Sequence, residues 1–178
     1  MRNFLLLARR TDLSNRSGLV TRFIVGTILL SHGTRKDVWA GVLFDDEMLI
    51  SFEGWGMRNV RPDEQSLSGI LRAGLRKGEG EEGGRARILQ GVTVKRSRLS
   101  DLALKLPGKK YYFEGPGCTH GIGPEISVVF TCGGASGGLA ELLGRSGFEP
   151  LRIGAREVPV DQAAVILNNA LDRSPKRG

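Results

Sequence analysis

The sequence predicts an α/β domain with a largely parallel sheet and helices on both faces. Short apolar strands alternate with segments whose apolar residues recur at helical spacing, and this β-α-β order is typical of such sheets. The clearest buried strand begins at Ile126, and a glycine cluster follows it directly and ends at Gly138. Ligands in open α/β sheets bind at the carboxyl ends of strands, so this strand and its loop predict a backbone-lined pocket.

The first third of the chain predicts a strand, a helix and a hairpin. Residues 4–8 form a short apolar run, as expected for a strand. Residues 12–15 supply turn and capping side chains, and apolar residues then recur at helical spacing over 19–28. Two β-like runs follow at 38–44 and 48–52. The short acidic connection between them predicts a hairpin.

A helix and a flexible loop occupy the middle of the chain. Pro62 opens the helix, acidic residues follow in its first turn, and an apolar stripe continues to Gly78. The glycine- and glutamate-rich piece 78–84 predicts an exposed loop and not an acid catalyst. Residues 88–94 then read as one strand and 99–106 as a short helix.

In the last third of the chain, three predicted strands end in glycine-containing loops. The strand 111–113 runs into a Gly-Pro-Gly turn, the strand from Ile126 runs into the glycine cluster, and the segment 148–153 is interrupted by Gly154 before a closing helix over 158–171. Glycines let backbone groups approach a ligand closely, which suits an adenine and a ribose better than a triphosphate. Tight turns use the same glycines, so that interpretation stays open. Neither the glycine cluster nor the loop at Gly154 carries a dinucleotide or nucleoside-triphosphate motif.

Composition points to a polyanionic partner. The chain has 178 residues, enough for one well-filled core, and a formal net charge of +7. Nucleic acid is the leading partner class because Lys and Arg neutralise phosphates, and a basic but merely soluble protein is the alternative. Cys118 and Cys132 are too few for a disulfide framework or a four-ligand zinc site, so we expect reduced thiols, no metal and a cytoplasmic protein. Neither export nor a membrane span is predicted.

Two groups of charged residues are candidates for nucleic-acid contacts. Around the first helix the chain gathers Arg16 and Arg22, and the segment 32–37 follows with a histidine, two cations and Asp37. The cations could bind phosphates while Asp37 orients one of them, but cations past a helix end also suit the helix dipole. The second group surrounds Arg61, where the Arg-Pro-Asp-Glu sequence is first of all helix-capping chemistry.

These groups, taken in this order, resemble the archaeal tRNA pseudouridine-54 N1-methyltransferases of the SPOUT superfamily. The resemblance spans nearly the whole chain, and its most specific segments are LSHGTRKDV and RPDE with the helix that follows it. The other matching segments are RNFLLLARR, NRSGLVTR, YYF, the glycine cluster and LRIGAREVPVDQAAVILNNALDR.

The resemblance implies a fold, a cofactor and a partner. It implies one SPOUT domain over residues 1–178, with a C-terminal trefoil knot over residues 110–172 that holds the cofactor, and a homodimer that buries the knotted region. The cofactor it implies is S-adenosylmethionine, and the partner is tRNA. The residues that match the family's cofactor loops are Phe113, Cys132, Gly133, Gly134, Ile153, Gly154, Ala155, Arg156, Glu157, Val158 and Ala163.

The implied reaction is methyl transfer to N1 of pseudouridine, an imide-like nitrogen that loses its proton as it attacks. We expect Arg16 to stabilise the base or its phosphate. We expect Asp37 to orient a basic side chain or to take the proton. The expected RNA contacts are Arg22, His32, Arg35, Lys36 and Arg61.

Alternatives to this enzyme stay open. The family usually has Gly-Arg-x-Asp near the first helix, whereas this chain has Asn15, Arg16, Ser17 and Gly18, so an acid is missing. That departure favours an RNA-binding relative with lost or altered activity. A relative that methylates ribosomal RNA pseudouridine is a second possibility. A hydrolase that uses Cys132 or His120 is a third class, although these two residues lie in separate loops.

Overall fold

A computed structural model describes residues 1–15, 17–30, 33–58, 60–61, 63–80, 84–133 and 137–173. Within these ranges the strands are β1 (Arg2–Ala8), β2 (Leu29–Leu30), β3 (Gly33–Thr34), β4 (Val38–Phe44), β5 (Met48–Glu53), β6 (Ala86–Leu89), β7 (Val92–Arg96), β8 (Lys109–Gly115), β9 (Ile126–Thr131) and β10 (Glu149–Arg152). The helices are α1 (Asp12–Asn15), α2 (Ser17–Ile28), α3 (Glu64–Glu79), α4 (Leu99–Lys105), α5 (Gly137–Arg145) and α6 (Val160–Arg173). None of the helices in the described ranges is long and apolar enough to cross a bilayer.

The main sheet has the strand order β10-β8-β9-β1-β4-β5-β7-β6. All pairs from β10 through β4 are parallel. Beyond β4, the strands β5, β7 and β6 continue the sheet with antiparallel pairing. The prediction of a largely parallel α/β sheet is therefore confirmed, with an antiparallel extension at one side.

Helices cover both faces of this sheet. Alternate residues of β1 point to opposite faces. Phe4 and Leu6 join a core with α2, α3 and α6. Leu5 joins a second core with α4 and α5 on the other face. Burial of each such side chain stabilises the fold by about 1.5–3 kcal/mol. The prediction of helices on both faces is confirmed.

Two hairpins extend the sheet, and only the first was predicted. β4 and β5 pair as expected, around a turn in which Glu47 has a φ of 65°. The prediction of one strand over 88–94 is wrong, because the chain reverses at Gly91 and β6 pairs antiparallel with β7. Gly91 has a φ of 76°, and a Cβ there would lie 2.5 Å from the backbone nitrogen of Met57. Apolar residues continue on both sides of this turn and conceal it in the sequence pattern.

The helix α5 was not predicted. The residues after Thr131 predict a glycine loop, because glycine is a poor helix former. The helix nevertheless begins at Gly137, inside that cluster. Leu143, which is fully buried in the second core, anchors α5 against the sheet. Tertiary packing therefore overrides the local preference.

The C-terminal helix is fixed to the start of the chain by a buried polar cluster. The Nδ2 of Asn168 donates to the backbone oxygens of Gly26 (3.2 Å) and Thr27 (2.9 Å) in α2. Its Oδ1 accepts from Arg2 Nη1 at 3.1 Å, and the same nitrogen lies 2.6 Å from Asp172 Oδ1. These bonds join β1, α2 and α6, so the position of α6 on the sheet is specified by polar as well as apolar contacts.

Candidate cofactor and RNA site

A cleft of about 370 Å³ lies where β8 and β9 end. The two strands are parallel neighbours, so their carboxyl ends meet at one edge of the sheet. The segment that leads from β10 into α6 closes the cleft from a third side. The lining residues are Leu19, Phe113, Glu114, Gly115, Pro116, Thr131, Cys132, Glu157, Val158, Pro159 and Val160.

Four of the residues matched to the family's cofactor loops line this cleft, namely Phe113, Cys132, Glu157 and Val158. The others lie close to it in the chain without lining it. Ile153 and Ala163 are buried in the core beneath, and Gly133 follows Cys132. Gly154 lies in the segment after β10, where Ala155 and Arg156 are exposed, and Gly134 lies outside the described residues.

Sequence reasoning missed part of the lining. Leu19 was interpreted as a core residue of the first helix, and Pro159 and Val160 as the start of the last. Each lies in the cleft because the N-terminal ends of α2 and α6 meet at this edge of the sheet. Their apolar character gave no signal, since a lining residue and a core residue of a helix look alike in sequence.

Backbone hydrogen bonds join the segment after β8 to the segment after β10. Ile153 N donates to Gly115 O at 3.0 Å, and Gly117 N donates to Gly154 O at 2.7 Å. Gly117 has a φ of 137°, and a Cβ there would lie 2.8 Å from the Cβ of Arg152. The glycines therefore permit two loops to run against each other and form one wall of the cleft.

An aromatic cluster supports the cleft from below. Phe113 lies 5.6 Å from Phe130, and Phe130 lies 5.4 Å from Phe23 and 6.2 Å from Phe4, between ring centroids. Phe113 is the member of this cluster that also lines the cleft. Packing against Phe130 thus orients a pocket side chain.

The cleft carries two carboxylates. Glu114 is paired with Arg152, whose Nε lies 2.6 Å from Glu114 Oε2. Glu157 is exposed, and no described residue forms an ion pair with it. The lining therefore suits a ligand that carries positive charge.

Arg22, which belongs to α2, lies beside the cleft and links α2 to α6 and α3. Its Nε donates to Asp161 Oδ2 of α6 at 2.9 Å, and its Nη1 lies 3.3 Å from Glu64 Oε1 of α3. The hydrogen bond from Arg22 to Asp161 raises the pKa of the guanidinium, with desolvation acting in the opposite direction. Sequence analysis missed Asp161, because an acid in the first turn of a helix looks like ordinary capping.

Asp37 and its neighbours lie at the opposite edge of the sheet. Val38 and Ile126 both pair with Arg2, so Asp37 lies where the parallel strands start. The cleft lies where they end, about 20 Å away along six residues of strand. Asp37 Oδ2 is 3.3 Å from Arg2 Nε, and the two groups form an ion pair without a hydrogen bond. The structure of the chain does not bring Asp37 and the cleft together.

The other predicted RNA contacts are dispersed. Arg35 lies at the Asp37 edge and pairs with Asp172, with Nη2 3.2 Å from Oδ2. Burial raises the pKa of Asp172, but bonding and attraction by Arg2 and Arg35 outweigh it, so the pKa lies below its usual value. Lys36 is exposed and donates to Gly54 O. The remaining positions are Arg61, which is exposed, and Arg16 and His32, which lie outside the described residues.

One of the two cysteines has a histidine neighbour. His120 Nδ1 lies 3.8 Å from the Sγ of Cys118, which is exposed and does not belong to the cleft lining. Among the described residues, no three His, Cys, Asp or Glu side chains cluster as metal ligands would.

A parallel sheet with a cleft at its strand ends, in a chain with a formal net charge of +7, is typical of α/β enzymes that bind a small cofactor and act on a polyanion. A family model described as "Putative SAM-dependent RNA methyltransferase" matches residues 1–175. The chain belongs to this family, which confirms S-adenosylmethionine as the cofactor and RNA methylation as the function.

Curated relatives match most of the chain. The tRNA (pseudouridine(54)-N(1))-methyltransferase of Haloferax volcanii is 26% identical over 166 residues, covering 89% of this chain and 84% of the relative. The enzyme of that name from Methanococcoides burtonii is 25% identical over 203 residues, covering 98% and 97%. The one from Methanosarcina acetivorans is 27% identical over 171 residues, covering 90% and 80%.

A solved structure shares the fold. Nep1 of Archaeoglobus fulgidus, crystallised with S-adenosylhomocysteine, superimposes with a TM-score of 0.63 over 97% of both chains. Its sequence is 12% identical, so this likeness concerns the fold.

Proposed function

We propose that this protein transfers a methyl group from S-adenosylmethionine to N1 of pseudouridine 54 in tRNA. The observation that carries the proposal is the cleft formed by the three C-terminal strand ends, in a chain that matches curated enzymes of this specificity over most of its length.

The residues of the cleft fit S-adenosylmethionine. Its volume falls within the roughly 300–1,000 Å³ that small-molecule sites occupy. Gly115 and the hydrogen-bonded loops offer backbone groups to an adenosine, and Val158 and Phe113 offer apolar surface. The cofactor supplies a methyl group on a positively charged sulfonium. The carboxylate of Glu157, with which no described residue forms an ion pair, would attract that positive charge. We assign cofactor binding to Phe113, Cys132, Gly133, Glu157 and Val158.

In this proposal, arginine side chains bind the RNA. N1 of pseudouridine loses its proton during attack, and nearby cations stabilise the anion that results. Arg22 lies at the rim, and Arg16 lies three residues before the lining residue Leu19 in the chain. We assign these two arginines to the base and its flanking phosphates. The bound nucleotide has to leave its loop stack, which RNA loops permit at low cost.

We further propose that the enzyme is a homodimer. Val165 and Ile166 on α6 are 46% and 41% exposed, and Leu30 after α2 is 48% exposed. Large apolar side chains on two adjacent elements favour an apolar partner surface, and a second copy offers the same surface. A dimer also gives Asp37, Arg35 and Lys36 a route to a cleft, that of the partner, which one protomer does not provide. The trefoil knot, the single domain and the cytoplasmic location stay predictions.

The proposed dimer predicts that a charge placed in its interface separates the two copies. Ile166→Asp places a carboxylate in the proposed interface, so we expect monomers in sedimentation velocity at concentrations where the wild type is dimeric. Leu142→Asp, at a similarly exposed apolar position on α5, is the control and should leave the association state unchanged. A dimer that persists in Ile166→Asp contradicts this interface.

One experiment tests the function. The purified protein is titrated calorimetrically with S-adenosylhomocysteine, and methyl transfer is then measured on tRNA transcripts that carry pseudouridine or uridine at position 54. We expect binding, and transfer that requires pseudouridine. Binding without transfer would indicate another substrate, ribosomal RNA among them. If S-adenosylhomocysteine does not bind, the chain is an RNA-binding relative that has lost its activity.

A further inference from the structure

Asp161 is a buried carboxylate that neither the family resemblance nor the proposed reaction assigns. Its side chain is 8% exposed, and it follows directly after the lining residue Val160. Its Oδ2 accepts from Arg22 Nε at 2.9 Å, while its Oδ1 is buried without a hydrogen-bond partner. A carboxylate held in such surroundings is costly unless it is paired, so Arg22 is the group that permits its burial.

The second carboxylate that contacts Arg22, that of Glu64, is exposed to solvent. The side chain of Glu64 is 59% exposed and lies 3.3 Å from Nη1, at the long end of hydrogen-bond distance. Exposed pairs of this kind contribute little and exchange readily with water. Among the described residues, none bonds to Nη2 of Arg22. Arg22 itself is 54% exposed, so one side of its guanidinium is anchored in the protein and the other side is accessible.

We propose that Asp161 is a positioning residue, which fixes Arg22 at the rim of the cleft so that an RNA phosphate can replace Glu64 on the exposed side of the guanidinium. The proposal rests on the proposed function, because it assumes that RNA approaches this cleft. A guanidinium fork held at Nε offers its two Nη groups in a fixed plane, which is the geometry that binds a phosphate in a bidentate manner.

The two carboxylates are therefore expected to have opposite effects when each is neutralised. Asp161→Asn removes the negative charge that holds Arg22 in place, and we expect the KM for tRNA to rise about tenfold, as for loss of one charge-assisted contact. Glu64→Gln removes only the competitor of the phosphate, and we expect the KM to stay level or fall. Asp161→Asn should leave the affinity for S-adenosylhomocysteine within about twofold, because Arg22 does not line the cleft.

A double-mutant cycle separates positioning from stability. Arg22→Gln alone leaves Asp161 buried and unpaired, so it should raise the KM and lower the melting temperature. Adding Asp161→Asn neutralises that carboxylate, and we expect the melting temperature to recover while the KM stays at the Arg22→Gln value. The matched controls are Arg145→Gln and Glu141→Gln, which change the same charges in an exposed pair within α5.

The measured KM values distinguish a positioning role of Asp161 from a purely structural one. An increase in KM for Asp161→Asn but not for Glu64→Gln, absent in the Arg22→Gln background, supports the proposal. Equal increases for both carboxylates, or recovery of the KM in the double variant, overturn it in favour of a purely structural pair. If Asp161→Asn alone does not fold, the KM of the double variant is compared with that of Arg22→Gln. A higher KM in the double variant would show that Asp161 acts independently of Arg22, which excludes positioning through Arg22. Failure of the wild type to bind S-adenosylhomocysteine would instead refute the proposed function.

Discussion

Val158→Trp is expected to lower the affinity for S-adenosylhomocysteine at least about 100-fold, which corresponds to about 2.7 kcal/mol. Val158 is half-buried and lines the cleft between the lining residues Glu157 and Pro159. An indole at this position takes up space that the adenosine needs and cannot retreat into the close-packed core beneath. Methyl transfer should be lost in parallel, because the cofactor no longer reaches its site. Calorimetric titration measures the affinity.

The control for this variant is Leu142→Trp. Leu142 is a partly exposed apolar residue of α5 that does not line the cleft. The Leu142→Trp substitution adds the same large side chain to the surface, and we expect its affinity for S-adenosylhomocysteine to lie within about twofold of the wild type. A folded Val158→Trp protein that binds S-adenosylhomocysteine as tightly as the wild type would place the cofactor elsewhere.

Asn168→Ala is expected to lower the free energy of unfolding by about 3 kcal/mol. The side chain is fully buried and makes three hydrogen bonds, two to α2 and one to Arg2. Its removal leaves part of the buried Arg2 guanidinium unsatisfied and opens a small cavity. A domain of this size is stable by only about 5–15 kcal/mol, so the effect is a large fraction of the total.

Urea denaturation followed by circular dichroism measures this loss. Asn169→Ala is the matched control, because Asn169 is the adjacent residue of α6 and is exposed. We expect its effect to lie within about 0.5 kcal/mol, as is usual for surface positions. Equal stabilities of the two variants would show that the buried cluster does not hold α6.

Much of the fold could be predicted from local patterns, and the exceptions have physical causes. Apolar runs identify β1 and the β4–β5 hairpin, since side-chain alternation and turn chemistry are local properties. The turn at Gly91 escapes detection because apolar residues continue on both sides of it, and the clash with Met57 that also excludes a side chain there is distant in sequence. The helix α5 escapes for a similar reason, since its anchor is Leu143 in a core built by other elements.

The site could be predicted only in part. The glycine-rich strand ends indicate the cleft, because the carboxyl ends of parallel strands meet at one edge. The same topology separates Asp37 from the cleft, and sequence reasoning could not see this while the strand register was unknown. Asp161 was overlooked because its partner Arg22 is 139 residues away. Contacts of this separation are a property of the folded chain and leave no local signal.

The bond between Arg2 and Asp172 spans 170 positions and ties the first strand to the last helix. During synthesis β1 leaves the ribosome before α6 does. Because Val160 closes the cleft from α6, a nascent chain that lacks this helix has an unfinished wall where the cofactor is to be held. Nascent chains in which α6 has not yet emerged are therefore expected to bind S-adenosylhomocysteine more weakly than the folded protein.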